Sequence, residues 1–175
     1  MASFRSRLVG TWELVSFRAL NVEDATDVIH PLQGDWHGLI IYTADGYISV
    51  QMQNREVPRT GGGPVPGKPE DLAELTRRTT NYTGPYHLEE PEEGGDEAKV
   101  HHETTIAIPS IYNGITQTRL ARLLNEDGVE QLTLTTGEPA MIEGVKRDIV
   151  VTWRRAKDNS TSWKPRQEVS APFSR

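Results

Sequence analysis

The residue types best suited to chemistry fall in two short blocks, Val100-His101-His102-Glu103 and Gly114-Ile115-Thr116-Gln117-Thr118-Arg119. Imidazole titrates near neutral pH, so a histidine can donate, accept or shuttle a proton there. Along a strand, neighbouring side chains face opposite sides, so His101, His102 and Glu103 cannot converge on one metal ion. If Val100, His102, Thr104 and Ile106 share an inner face, His102 points inward and His101 outward. Gln117 and Arg119 share a face of the next strand with Ile115 and Ala121. Pairing of the two strands would then set an amide and a guanidinium beside the imidazole. Such a group polarises a carbonyl or stabilises an enolate without a covalent intermediate. The competing readings are a histidine hydrogen-bonded within the wall and an outward, solvated Arg119. Arg122 lies on the opposite face from Arg119, so the two cannot both be internal.

Aromatic hydroxyls form a second group of candidates. Tyr47, Ser49 and Gln51 make the polar face of an alternating segment whose other face is Ile48, Val50 and Met52. That polar face either meets solvent or lines a partly polar cavity, with the apolar set packing outside. Tyr42, Tyr82, Tyr86 and Tyr112 can stack on a ligand and also hydrogen-bond it, the alternative for each being ordinary wall packing. Tyr42, Tyr47, Gln51, Tyr82 and Tyr112 are taken as the ligand-binding candidates, and His102, Gln117 and Arg119 as the catalytic ones.

The elements that must position these groups read as short strands. Leu8 to Leu20 places Trp12, Leu14 and Ser16 on one side and Val15, Phe17 and Ala19 on the other, which suits a strand buried on both faces. Gly38 to Thr43 and Tyr47 to Gln53 form a hairpin across Ala44-Asp45-Gly46. Asn54 to Pro69, rich in glycine and proline, reads as a loop, and Pro69 to Leu75 as a short helix with acids in its first turn. This pair suits either a lid over a barrel mouth or a solvated insertion at its closed end. Strands resume at Tyr82 to Glu89, Ala98 to Ile108, Ile115 to Leu124, Val129 to Thr136 and Asp148 to Arg155. An acidic turn is expected from Pro91 to Asp96, and an irregular tail over 157–175. Eight or nine short strands with one helix predict an all-β fold: a single antiparallel barrel over residues 1–156. Closure removes edge strands and leaves room for one small ligand.

Composition narrows the function further. A chain of 175 residues can bury one real core. Its net charge of −6, with no basic stripe, argues against nucleic acid and anionic membrane as partners. It has no cysteine, so disulfides and thiolate chemistry are excluded. No apolar run approaches the ~20 residues of a membrane span, and Gly10, Thr11 and Glu13 interrupt what could be a signal-peptide core. A cytoplasmic protein is therefore expected. Nucleophile elbows, phosphate-cradling loops, dinucleotide fingerprints and zinc-ligand spacings are missing from the sequence, so a reaction without cofactor or metal is expected.

Gly10-Thr11-Trp12 on the first strand and Trp153-Arg154-Arg155 on the last resemble the signature of lipocalins and their relatives. The resemblance implies that Gly10 turns closely beneath the barrel, that Trp12 fills its base and that a terminal arginine packs across the indole. Alternation does not decide between Arg154 and Arg155, and Arg154 is taken as the candidate. Leu8 to Ser16, Gly38 to Tyr47, Val100 to His102 and Gly114 to Arg119 are similar, more specifically, to the lipocalin-like domain family of fungal and bacterial small-molecule pathways. Glu13-Leu14-Val15-Ser16 follows Trp12 where haem-binding nitrobindins are glycine-rich, which speaks against haem. The resemblance implies a small hydrophobic or partly polar organic ligand. Two functions fit it: a cofactor-independent cyclase or isomerase, pericyclase-like, acting on a polyketide- or terpenoid-like metabolite, and a non-catalytic carrier of a small hydrophobic ligand. Folding the substrate into a near-attack shape would supply several kcal/mol to the first. Its candidate inner face, more polar than storage of an apolar ligand requires, favours that reading. A homodimer is left open, and an interaction module working through its loops is a third alternative.

Overall fold

The computed structural model describes residues 2–31, 35–57, 67–90 and 95–160. Its strands are β1 (Gly10–Asn21), β2 (Val28–Ile29), β3 (Trp36–Tyr42), β4 (Tyr47–Asn54), β5 (Thr79–Glu89), β6 (Glu97–Glu103), β7 (Ile106–Ile108), β8 (Thr116–Glu126), β9 (Val129–Thr136), β10 (Ala140–Ile142) and β11 (Val145–Arg155). Helices α1 (Phe4–Leu8) and α2 (Pro69–Arg77) precede β1 and β5. Antiparallel neighbours run β1-β3-β4-β5-β6-β8-β9-β11, and β11 pairs back to β1, so eight strands close into a barrel. β2, β7 and β10 are short additions to the wall. Ile40, Ile48, Val50, Val100, Leu123 and Leu132 are buried within it.

β1 reconciles its two apolar faces in a way that strict alternation does not anticipate. Its register against β11 slips between Leu14 and Ser16, leaving Val15 as an extra residue, 54% exposed. A bulge of this kind reverses the phase of the side chains that follow it. Trp12 and Leu14 join the buried cluster before the slip, and Phe17 joins it after. The strand is not buried on both sides; the bulge merges two half-faces into one inner face.

The closed end of the barrel is built around Trp12. The indole is fully buried and its Nε1 donates to the Leu8 carbonyl at 2.9 Å. Arg155, not Arg154, crosses the ring, its guanidinium carbon 3.7 Å from the ring centroid. It also donates to the carbonyl oxygens of Val9 and Arg7 and pairs with Glu130 at 2.9 Å. Arg154 stands on the outer face, paired with Glu13 at 2.9 Å. Odd positions of β11 face inward, which excludes Arg154 from the plug. Gly10 holds a φ of +129°, and a Cβ there would stand 2.7 Å from Arg155 Nη1. Backbone freedom and close approach both require glycine at this position. Helix α1 was not foreseen; Ser3 caps it, and Phe4 and Leu8, one turn apart, are its buried pair.

A second break falls where the sequence suggests one strand from Ala98 to Ile108. The chain leaves β6 at Thr104-Thr105 and re-pairs with β5 as β7. Val100, His102 and Thr104 are buried as alternation requires, but Ala107 is buried next and Ile106 is 65% exposed. Gly84 permits this crossing, since a Cβ there would overlap the Glu103 carbonyl oxygen. Helix α2 buries no side chain. Residues 58–66 of the expected loop, 91–94 of the acidic turn and 161–175 of the tail lie outside the described residues.

Candidate functional site

Strand register brings the candidate residues together. His102 on β6 lies opposite Tyr86 on β5 and Gln117 on β8, while Arg119 lies opposite Val100 and Thr136. Val100 is wholly buried, which fixes the Val100-Arg119-Thr136 row on the inner side. His102 is itself fully buried, and each ring nitrogen meets a phenol: Tyr42 Oη at 2.9 Å from Nε2 and Tyr82 Oη at 3.2 Å from Nδ1. Burial, then the charge of Arg119 and then His101, hold the His102 pKa down to about 3, so the ring is neutral at physiological pH.

Hydrogen-bond accounting assigns the proton. A neutral imidazole has one donor nitrogen and one acceptor. Tyr42 is 1% exposed, and His102 is the one hydrogen-bond partner of its hydroxyl among the described residues. Were Tyr42 to accept from Nε2–H, its own buried proton would have no acceptor, at a cost of roughly 1–3 kcal/mol. Tyr42 therefore donates to Nε2, Nδ1 carries the hydrogen, and Nδ1–H donates to Tyr82 Oη. That leaves the Tyr82 proton free. Burial pushes the Tyr82 phenol up to about 12, Arg119 opposing and Tyr112 adding to the shift, so it keeps that proton. Burial likewise raises Tyr42 well above the ordinary phenol range.

Beside this relay, Arg119 Nη2 donates to Gln117 Oε1 at 2.6 Å and Arg119 Nη1 to the Thr118 carbonyl at 2.9 Å. Gln117 Nε2 donates in turn to Thr104 Oγ1 at 3.2 Å. The guanidinium acts on Tyr42, Tyr82 and His102 alike, which places it within Coulombic range of all three. Tyr82, Leu14, Phe17 and Val151 pack against the buried cluster, and they, Gln117 and Arg119 are each only half-buried.

The remaining candidates are placed differently. Tyr47 is 54% exposed and Gln51 is exposed, both on the outer side, because Ile48, Val50 and Met52 take the inner one. Gln51 lines an external groove of about 680 Å³ with Leu39, Glu13 and Arg154. Tyr112 sits in a 3-10 turn ahead of β8, near enough to act on the Tyr82 phenol. His101 faces outward, between Thr118 Oγ1 at 2.9 Å and Glu89 at 3.0 Å. Tyr86 is buried but spends its hydroxyl on the Thr43 carbonyl at 3.0 Å. Thr104, the far end of the amide chain, was overlooked as a site residue; its place two positions after His102 was the available signal. Among the described residues, no three acidic or imidazole side chains converge to hold a metal ion.

Alongside the barrel, its tryptophan plug and the inward polar cluster, the family model of the lipocalin-like domain matches residues 9–156. The chain belongs to the lipocalin-like domain family. In this lipocalin-like protein the matched span contains the whole closed barrel, from β1 to the end of β11. No curated protein matches the chain. The family's barrel suggests small-molecule binding, and no described helix is long and apolar enough to cross a membrane.

Proposed function

We propose that this lipocalin-like protein binds a small polyketide- or terpenoid-like metabolite inside its barrel and catalyses a cyclisation or isomerisation of it without a cofactor. One observation carries this reading: the chain of hydrogen bonds from Tyr42 through His102 leaves the Tyr82 hydroxyl with a proton to give, beside an inward guanidinium. Two donors on the inner side of the wall suit an oxygen that gains negative charge as bonds rearrange. Successive hydrogen bonds polarise one another, so Tyr42 and His102 strengthen the donor that Tyr82 offers. Tyr82 and Arg119 are then the groups that touch substrate. His102 and Gln117 act through them, as positioning residues. The apolar side chains Leu14, Phe17 and Val151 would fold the substrate, lowering the entropic cost of ring closure. The bonds rearranged are the substrate's own, and Tyr82 lends a hydrogen bond without parting with its proton.

The test begins with the compound extracted from the purified protein and its acyclic or isomeric precursor. Tyr82→Phe is expected to slow conversion by about 100-fold or more while ligand affinity changes little. Equal conversion by wild type and variant would refute the role of Tyr82 and leave at most a template for the reaction, and wild-type conversion no faster than without protein would leave a carrier. Nitrogen-15 NMR of the His102 ring checks the wiring independently: the proton is expected on Nδ1, and a proton on Nε2 would undo the argument for Tyr82.

A further inference from the structure

Three arginines stand on the inward phase of the wall, and their surroundings differ in one respect. Arg147 is clamped by Asp27 at 2.9 Å, and Arg155 by Glu130 at 2.9 Å. Arg119 has no acidic partner among the described residues. Its hydrogen bonds go to a neutral amide oxygen and a backbone carbonyl, using two of the five N–H donors that a guanidinium carries. Directly across the strand pair, Thr136 Oγ1 is buried without a hydrogen-bond partner. Burying a charge without a counter-ion is costly, and the other two inward arginines avoid that cost. The barrel interior is therefore locally positive around Arg119, inside a molecule whose net charge is −6.

We infer that the cavity takes a ligand that is an anion at neutral pH, a carboxylate on an apolar body, with Arg119 supplying the counter-charge that the protein itself withholds. Resting on the reading of the interior as a small-molecule site, this names the class of molecule that fits it. The N–H donors that Arg119 has left over suit the two carboxylate oxygens, and Gln117, braced on Thr104, fixes the guanidinium in place. Leu14, Phe17 and Val151 would receive the apolar body. Exterior acidity does not oppose binding much, because charges beyond about 8 Å are screened at physiological salt.

The probe is dansylaminoundecanoic acid, compared with its methyl ester, both followed by energy transfer from the protein's tryptophans. The acid is expected to bind at least about tenfold more tightly than the ester, as a charge-assisted contact requires. Arg119→Gln should erase that preference, weakening the acid about tenfold or more and leaving the ester within about twofold. Unchanged ester binding also shows that the variant is folded, and Arg119→Lys should restore part of the preference. Equal affinity of acid and ester for the wild type, or an equal loss of both in Arg119→Gln, overturns the inference while leaving a small-molecule site intact. Failure of both probes to bind the wild type overturns the binding reading and the inference with it.

Discussion

Replacing His102 by glutamine isolates the acid sensitivity that a buried neutral imidazole builds into the barrel. In the unfolded chain the ring titrates near 6.5, whereas in the folded protein burial holds it to about 3. Between those values the unfolded state binds a proton that the native state refuses, so stability rises with pH across that window. Stability is thus fully present above about 6.5 and is lost as pH falls toward 3, at up to about 1.4 kcal/mol per pH unit. Over the whole window the loss approaches about 5 kcal/mol, a large part of a typical domain's 5–15 kcal/mol. Urea unfolding of wild type and His102→Gln, at steps from about pH 7 to about pH 4, reads this directly. Glutamine lowers the starting stability by disturbing the Tyr42 and Tyr82 bonds, so the slopes are the quantity compared. The wild type should lose about 3 kcal/mol more than the variant across that span. Exposed carboxylates held low by local hydrogen bonds, such as Asp24 and Glu89, titrate alike in both proteins and cancel. Parallel pH profiles would show that the imidazole is not held neutral by burial, and the relay would lose its basis.

Two stability predictions follow from the same geometry. Gly84→Ala forces a methyl group onto the Glu103 carbonyl and should cost about 2–4 kcal/mol, read as a fall in Tm of roughly 2–4 °C per kcal/mol; a Tm within a degree or so of wild type would deny the close crossing. Arg155→Ala removes the cation over Trp12 and two carbonyl caps and should cost about 2–4 kcal/mol, whereas Arg154→Ala should cost less than about 1 kcal/mol. Equal losses in chemical denaturation would contradict the assignment of the plug.

The strands and their closure were legible because turn residues and period-two alternation recur along the chain. Tyr47 to Asn54 shows the limit of that signal: its alternation marks the strand, but Tyr47 and Gln51, taken as ligand-binding, face outward while Ile48, Val50 and Met52 face inward. Facing also failed where an extra residue enters the count. The slip between Leu14 and Ser16 and the break at Thr104-Thr105 each reverse the phase, and no single side chain announces either. His102, Gln117 and Arg119 were readable as a group because they lie on adjacent strands in matching phase. Tyr42 as the partner of His102 was not, because the two are 60 positions apart and meet across the interior. Long-range meetings of that kind depend on barrel curvature, which local pattern does not encode. The choice between Arg154 and Arg155 failed for a related reason, since it rests on the phase of β11 relative to its neighbours.

The plug under Trp12 has a kinetic consequence. Arg155 fastens to the Val9 carbonyl 146 positions away, and the wall seals only when β11 lies against β1. During synthesis β1 waits with one border unsatisfied until nearly the whole barrel has been made. Loop-closure entropy makes so distant a seam slow to form, and open strand borders invite pairing with other chains in the meantime. The Arg155 guanidinium acts as a latch that only a finished barrel can fasten, so partial barrels gain little by lingering.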